Sequence, residues 1–148
     1  MKYDDASWHY EGDFPEELPP EAGATHIGLF LAWLLNHDHA SEELLEDASD
    51  QVQALQARQI TGAQLLMSTL DGKFLAQDLD DTGNAFALAY YQGQDDDSRY
   101  FDDYLLVFDD QETIYHVEDS WESYERLASV IDERFAAWNA QGRPQYLP

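Results

Sequence analysis

SWESYERLASVIDERFAAW, residues 120–138, is the stretch that sets the fold class. Its apolar residues Trp121, Tyr124, Leu127, Ala128, Ile131, Phe135 and Trp138 recur at intervals of three and four, the period of a helix with one buried face. Ser120 is placed to cap this helix, and Gly142 with Pro144 to stop it. The same period recurs upstream. Thr25 is expected to cap a helix with Ile27, Phe30, Leu31, Leu34 and Leu35 on one face. Ser41 opens another through Leu44 and Leu45, with a bend near Ser49 and Asp50, and Thr61 caps a third that buries Leu65, Leu66 and Leu70 and ends at Asp71-Gly72. Thr82 is placed to cap a fourth, through Ala85 to Tyr91.

Two segments read less simply. Residues 104–108 and 113–117 fit two strands joined at Asp109-Asp110-Gln111, with a short helix as the alternative for the first; β-branched content favours strand only for the second. At the other end, Pro15, Pro19 and Pro20, with Gly12 and Gly23, break residues 1–23 into an irregular arm anchored by Trp8, Tyr10 and Phe14. The expectation is a compact, mainly α, single-domain fold over residues 1–148, with that arm packed on the helical body and at most one small β-hairpin. A length of 148 residues fits one core.

Charge narrows the function. Thirty-one Asp and Glu stand against seven Lys and Arg, for a net charge of −24. The first half carries −11 and the second −13, so no acidic tail is involved. Four Trp, nine Tyr and seven Phe are too many for a disordered acidic segment. A field of this strength repels nucleic acid and anionic lipid and attracts basic proteins. Cysteine is absent, the N-terminus lacks signal-peptide regions, and the longest apolar run, residues 27–35, is too short to cross a bilayer. A soluble cytoplasmic protein is expected.

Motifs for chemistry are weak. Asp78, Asp80, Thr82 and Gly83 match the opening of a calcium loop, but the twelfth position is Ala89, so a turn and helix cap is the better reading. His37 and His39 sit two apart, with His26, Glu42 or Glu43 as further candidates, yet nothing in the sequence draws these together as a metal site. Acid pairs such as Asp102-Asp103 and Glu118-Asp119 follow from composition alone. His116 reads as a half-buried structural histidine. Ser7-Trp8-His9, on an extended arm, would point its hydroxyl and imidazole apart. No cofactor, metal or catalytic residue is therefore expected, and the chain is read as a binding protein, not an enzyme. Trp121 and Trp138 are expected in the core. Asp95, Asp96 and Asp97, with Asp102, Asp103 and Trp8, are the candidate contacts for a partner.

Blocks of the chain resemble a known family: DASWHY at 5–10, DFP at 13–15, LPPEAGATHIG at 18–28, DGKF at 71–74, GNAF at 83–86 and YHVEDSW at 115–121. They are similar to those of a family of small, acidic bacterial proteins that in turn resembles the immunity proteins carried beside polymorphic and type VI secreted toxins. The resemblance spans most of the chain. It implies a protein that binds a cognate toxin, and it transfers no catalytic residue; the acidity adds the expectation that a basic active site of the toxin is what the chain occludes. A nucleic-acid mimic that occupies a DNA-binding protein is the alternative, with carboxylates standing in for phosphates; a small enzyme is a third reading. A saline habitat would account for the acidity without bearing on function.

Overall fold

A computed structural model describes residues 1–148. Seven α-helices dominate: α1 Ala6–Tyr10, α2 Thr25–Asn36, α3 Glu42–Gln56, α4 Gly62–Thr69, α5 Asp81–Phe86, α6 Arg99–Val107 and α7 Trp121–Ala140. Two short strands, β1 Lys2–Asp5 and β2 Lys73–Leu75, pair antiparallel. The protein is mainly α, as the periodicity of residues 120–138 predicts.

Helix α2 is the axis. Eleven of its twelve residues are buried, because its sequence is apolar on every side apart from Thr25, His26 and Asn36. A helix apolar all round must be surrounded by its own protein. It packs on α3, α4 and α7, and Trp33 Nε1 donates to Asp132 Oδ1 of α7 at 2.8 Å. One contiguous cluster holds the core, and its centre is aromatic: Phe30 meets Phe74, Phe86, Tyr90, Tyr91 and Tyr100 at ring separations of 5.1–6.0 Å.

Capping follows the expected chemistry at three helices. Ser41, Thr61 and Ser120 each accept a backbone N–H from three residues on, and Thr61 forms a full capping box with Gln64. The expected bend in α3 falls at Ala48, one residue before Ser49, where φ is −143° and ψ 34°. Trp138 is fully buried and Trp121 half-buried beside Tyr124.

Other expectations need correction. Thr25 does not cap α2; it is the first helical residue, and Ala24 precedes it without a side-chain bond. Asp80, not Thr82, caps α5, because its Oδ1 reaches Gly83 N at 2.7 Å. Beyond Phe86 the chain widens into a π-helical turn, Ala87–Gln92, that ends at Gly93. Residues 104–107 belong to α6, with Phe108 at its C-cap, as the short-helix alternative has it, and Ile114–His116 is a 3-10 turn, so the hairpin expected there is absent. The sheet lies elsewhere and joins distant segments. The arm is also more ordered than expected, containing β1, α1 and a 3-10 turn, Pro20–Ala24.

Candidate functional site

Sequence reasoning placed the functional surface in the acidic loop after Gly93. Gly93 adopts φ +76°, and a Cβ there would meet Asp97 O at 2.1 Å, so the tight approach requires glycine. Asp95 and Asp96 also take positive φ, 55° and 61°, which turns the chain sharply. Asp95, Asp96, Asp97 and Asp102 are exposed. Arg99 gathers part of this charge, meeting Asp97 at 3.1 Å and Asp102 at 3.3 Å and donating to Pro148 O at 3.0 Å. Trp8 is 55% exposed, with Lys2 Nζ over its ring at 4.9 Å.

Asp103 does not belong with these contacts. It is buried, its two carboxylate oxygens accept from Arg134 Nε and Nη2, both at 2.9 Å, and Tyr90 Oη donates to it at 2.6 Å. Its charge is spent inside the fold, tying α6 to α7 and the π-helical turn. Sequence reading missed the leucines beside it. Leu105 and Leu106 of α6 are exposed, and Leu106 stands one turn from Asp102, so an acid and an apolar side chain share one face. The strand reading of residues 104–108 concealed that face.

A second cluster was missed altogether. Asp5 caps α1, its Oδ1 accepting from Ser7 N at 2.9 Å and Ser7 Oγ at 2.8 Å, and this sets His9 on the helix side that faces inward. Gly23 lets the next segment approach, since a Cβ there would lie 3.4 Å from His9 Cβ. His9 Nε2 then stands 2.8 Å from Asp4 Oδ1 of β1 and 3.2 Å from His26 Nε2 of α2. His26 Nε2 is 3.6 Å from Asp4 Oδ2. Tyr91 Oη donates to Asp4 Oδ2 at 2.6 Å, and Asp5 N to Asp4 Oδ1 at 2.8 Å. His9 Nδ1 meets Tyr115 Oη at 2.8 Å.

Burial opposes ionisation of Asp4, yet the imidazoles of His26 and His9 beside it hold its carboxyl well below the usual range. Burial pushes His26 down and outweighs the hydrogen bond to Asp4. His26 Nδ1 and Tyr104 Oη are buried without a protein hydrogen-bond partner. Tyr115 also faces a cleft of about 770 Å³ whose walls include Pro19, Thr25, Ile60, Met67 and Asp119. Burial raises the Asp119 carboxyl, although Thr61 Oγ1 donates to it at 2.7 Å. An imidazole held between a carboxylate and a phenol can accept a proton or ligate an ion.

The remaining candidates disperse. His37 Nδ1 bonds Trp33 O at 2.8 Å, whereas His39 Nδ1 turns to Asp80 at 3.2 Å. Asp78 is buried and Asp80 serves as a cap, as the turn-and-cap reading of that motif predicts. His116 is half-buried and bonds Glu17 at 3.0 Å.

These features define an acidic, mainly α protein with exposed carboxylates and an Asp-His-His cluster in which Asp4 and His26 are buried and His9 reaches the surface. The chain belongs to the DUF7832 family, a domain of unknown function whose model matches residues 2–117. That span holds the acidic loop and all three members of the cluster and ends before α7. No curated protein matches the chain. No solved structure matches it either. No helix is long and apolar enough to cross a membrane.

Proposed function

We propose that the chain is a cytoplasmic binding protein that neutralises a basic protein, a cognate toxin, by covering its active site. One observation carries this reading: six of the seven Lys and Arg side chains already stand within 4 Å of a carboxylate, so the surplus negative charge is left to the surface. Asp95 and Asp96 offer that charge without a basic partner, Asp97 and Asp102 share the single Arg99, the exposed Leu106 stands one turn from Asp102, and Trp8 adds an exposed ring. Exposed carboxylates suit a cationic cleft, and the field of the whole molecule speeds encounter, to about 10⁸–10⁹ M⁻¹ s⁻¹ at low salt in steered pairs. The resemblance to toxin immunity proteins points to the same partner. Inhibition of this kind is stoichiometric and asks for no catalytic residue.

The test is capture of partners by the tagged full chain from the cells that encode it, with low- and high-salt washes, followed by inhibition assays. A single stoichiometric partner, toxic when expressed alone and silenced by the chain, supports the reading. A mixture of basic DNA-binding proteins lost in salt favours a nucleic-acid mimic instead.

A further inference from the structure

We propose that Asp4, His9 and His26 form a binding site for a divalent transition-metal ion of the zinc class. Three donor groups from three separate elements, β1, α1 and α2, converge with separations of 2.8, 3.2 and 3.6 Å. Ligands at bond lengths of about 2.0–2.2 Å stand about 3.0 Å apart in an octahedron and about 3.4 Å apart in a tetrahedron. The two separations from His9 Nε2, to Asp4 Oδ1 and to His26 Nε2, lie around those values, the 3.6 Å separation runs from His26 Nε2 to the second carboxylate oxygen, and one donor atom from each residue falls within 4.8 Å of the others. Two imidazoles and one carboxylate make a donor set common to zinc and to non-haem iron.

Protons alone serve the cluster poorly. His9 Nε2 lies within hydrogen-bond distance of both Asp4 Oδ1 and His26 Nε2. A proton on His26 Nε2 directed at His9 would leave the His9 lone pair facing the Asp4 carboxylate at 2.8 Å. A proton on His9 Nε2 satisfies Asp4 and turns the His26 Nε2 lone pair into the cluster. An ion satisfies all three lone pairs together. Asp4 also needs a cation: it is 4% exposed, and its only basic neighbours are the two imidazoles, since Lys2 is committed to Asp5. Two of the three ligands are held by further bonds, Asp4 by Tyr91 Oη and Asp5 N and His9 Nδ1 by Tyr115 Oη, whereas His26 is held by burial alone, its Nδ1 without a partner. His9 is the member that reaches the surface, its side chain 17% exposed, and gives an ion its way in. The site would fasten the first ten residues to α2 independently of any partner bound at the acidic loop.

The test is calorimetric titration of the untagged full chain with zinc chloride after removal of chelators, with cobalt absorption and thermal melting as parallel readouts. The expected result is one equivalent of tight zinc, visible cobalt bands, and a melting midpoint raised by roughly 5–10 °C at a hundredfold excess over Kd. His9→Gln, at the partly exposed member, should abolish the equivalent while the chain stays folded by circular dichroism; Asp4→Asn should weaken it at least tenfold. His116→Gln removes the only histidine of the Glu17, Glu112 and His116 group, the other grouping of potential ligands, and should leave the equivalent intact. Absence of stoichiometric zinc in the parent, retention of it by His9→Gln, or its loss in His116→Gln would each overturn the proposal.

Discussion

Asp78 sits in the turn before α5 with one carboxylate oxygen lacking any hydrogen-bond partner, and burial, reinforced by Glu43, pushes its carboxyl up to about 6 from 3.8. Below about pH 3 the group is protonated in the folded and unfolded chain alike, and no stability is lost. As pH rises to 6 the unfolded chain releases the proton first, so stability falls; above 6 the loss is complete, at about 2–3 kcal/mol. Asp78→Asn should therefore be more stable than the parent by about 2 kcal/mol at pH 8 and indistinguishable from it near pH 3. Denaturant midpoints at the two pH values check this. Asp103 is the opposite case, a buried acid fully held by Arg134 and Tyr90. Neighbouring letters in one acidic motif, Asp102 and Asp103, thus have different fates, decided by which side of α6 each occupies.

At the scale of elements, the crossing of α2 and α4 rests on two glycines. A Cβ on Gly28 would lie 2.2 Å from Ala63 N, and one on Gly62 would lie 1.8 Å from Gly28 O, so the two backbones touch. Gly28→Ala forces the helices apart and should cost roughly 3 kcal/mol or more, lowering the melting midpoint by about 6–12 °C. Gly142→Ala provides the contrast. That residue has φ +86° but nothing within 4 Å, so strain alone should cost about 1 kcal/mol. Thermal melts of the two variants separate packing from backbone strain.

Elements with a period of their own were legible in sequence: α7 by its apolar stripe, α3 by Ser41, and α4 by the Thr61 cap. The pairing of β1 with β2 was not, since four and three residues carry no readable alternation and their partners lie some seventy positions apart. Residues 104–108 misled because Leu105 and Leu106 are apolar yet exposed, which imitates a buried run. The Asp4, His9 and His26 cluster was illegible for a related reason. Each member looked local, His9 was read on an extended arm where a helix exists, and His26 was weighed only against His37. Long-range packing of the first ten residues against α2 creates the site.

For the molecule as a whole, a net charge of −24 on 148 residues acts on stability and association in opposite directions. Salt screens self-repulsion among exposed carboxylates, so the melting midpoint should rise with ionic strength; differential scanning calorimetry across a salt series measures it. A rise that continues steeply into molar salt, where ordinary screening has saturated, would indicate an adaptation to saline surroundings instead. Association with a cationic partner should respond the other way. The direct measurement is a titration of the full chain against the protein it captures from the cells that encode it, at low and high salt, with that protein's activity followed in parallel. One-to-one binding is expected, with activity lost at equivalence, affinity falling about tenfold or more in high salt, and a further loss when Asp95, Asp96 and Asp97 are replaced by lysine. An excess of chain that leaves the partner fully active, or binding unmoved by both salt and charge reversal, would contradict the account.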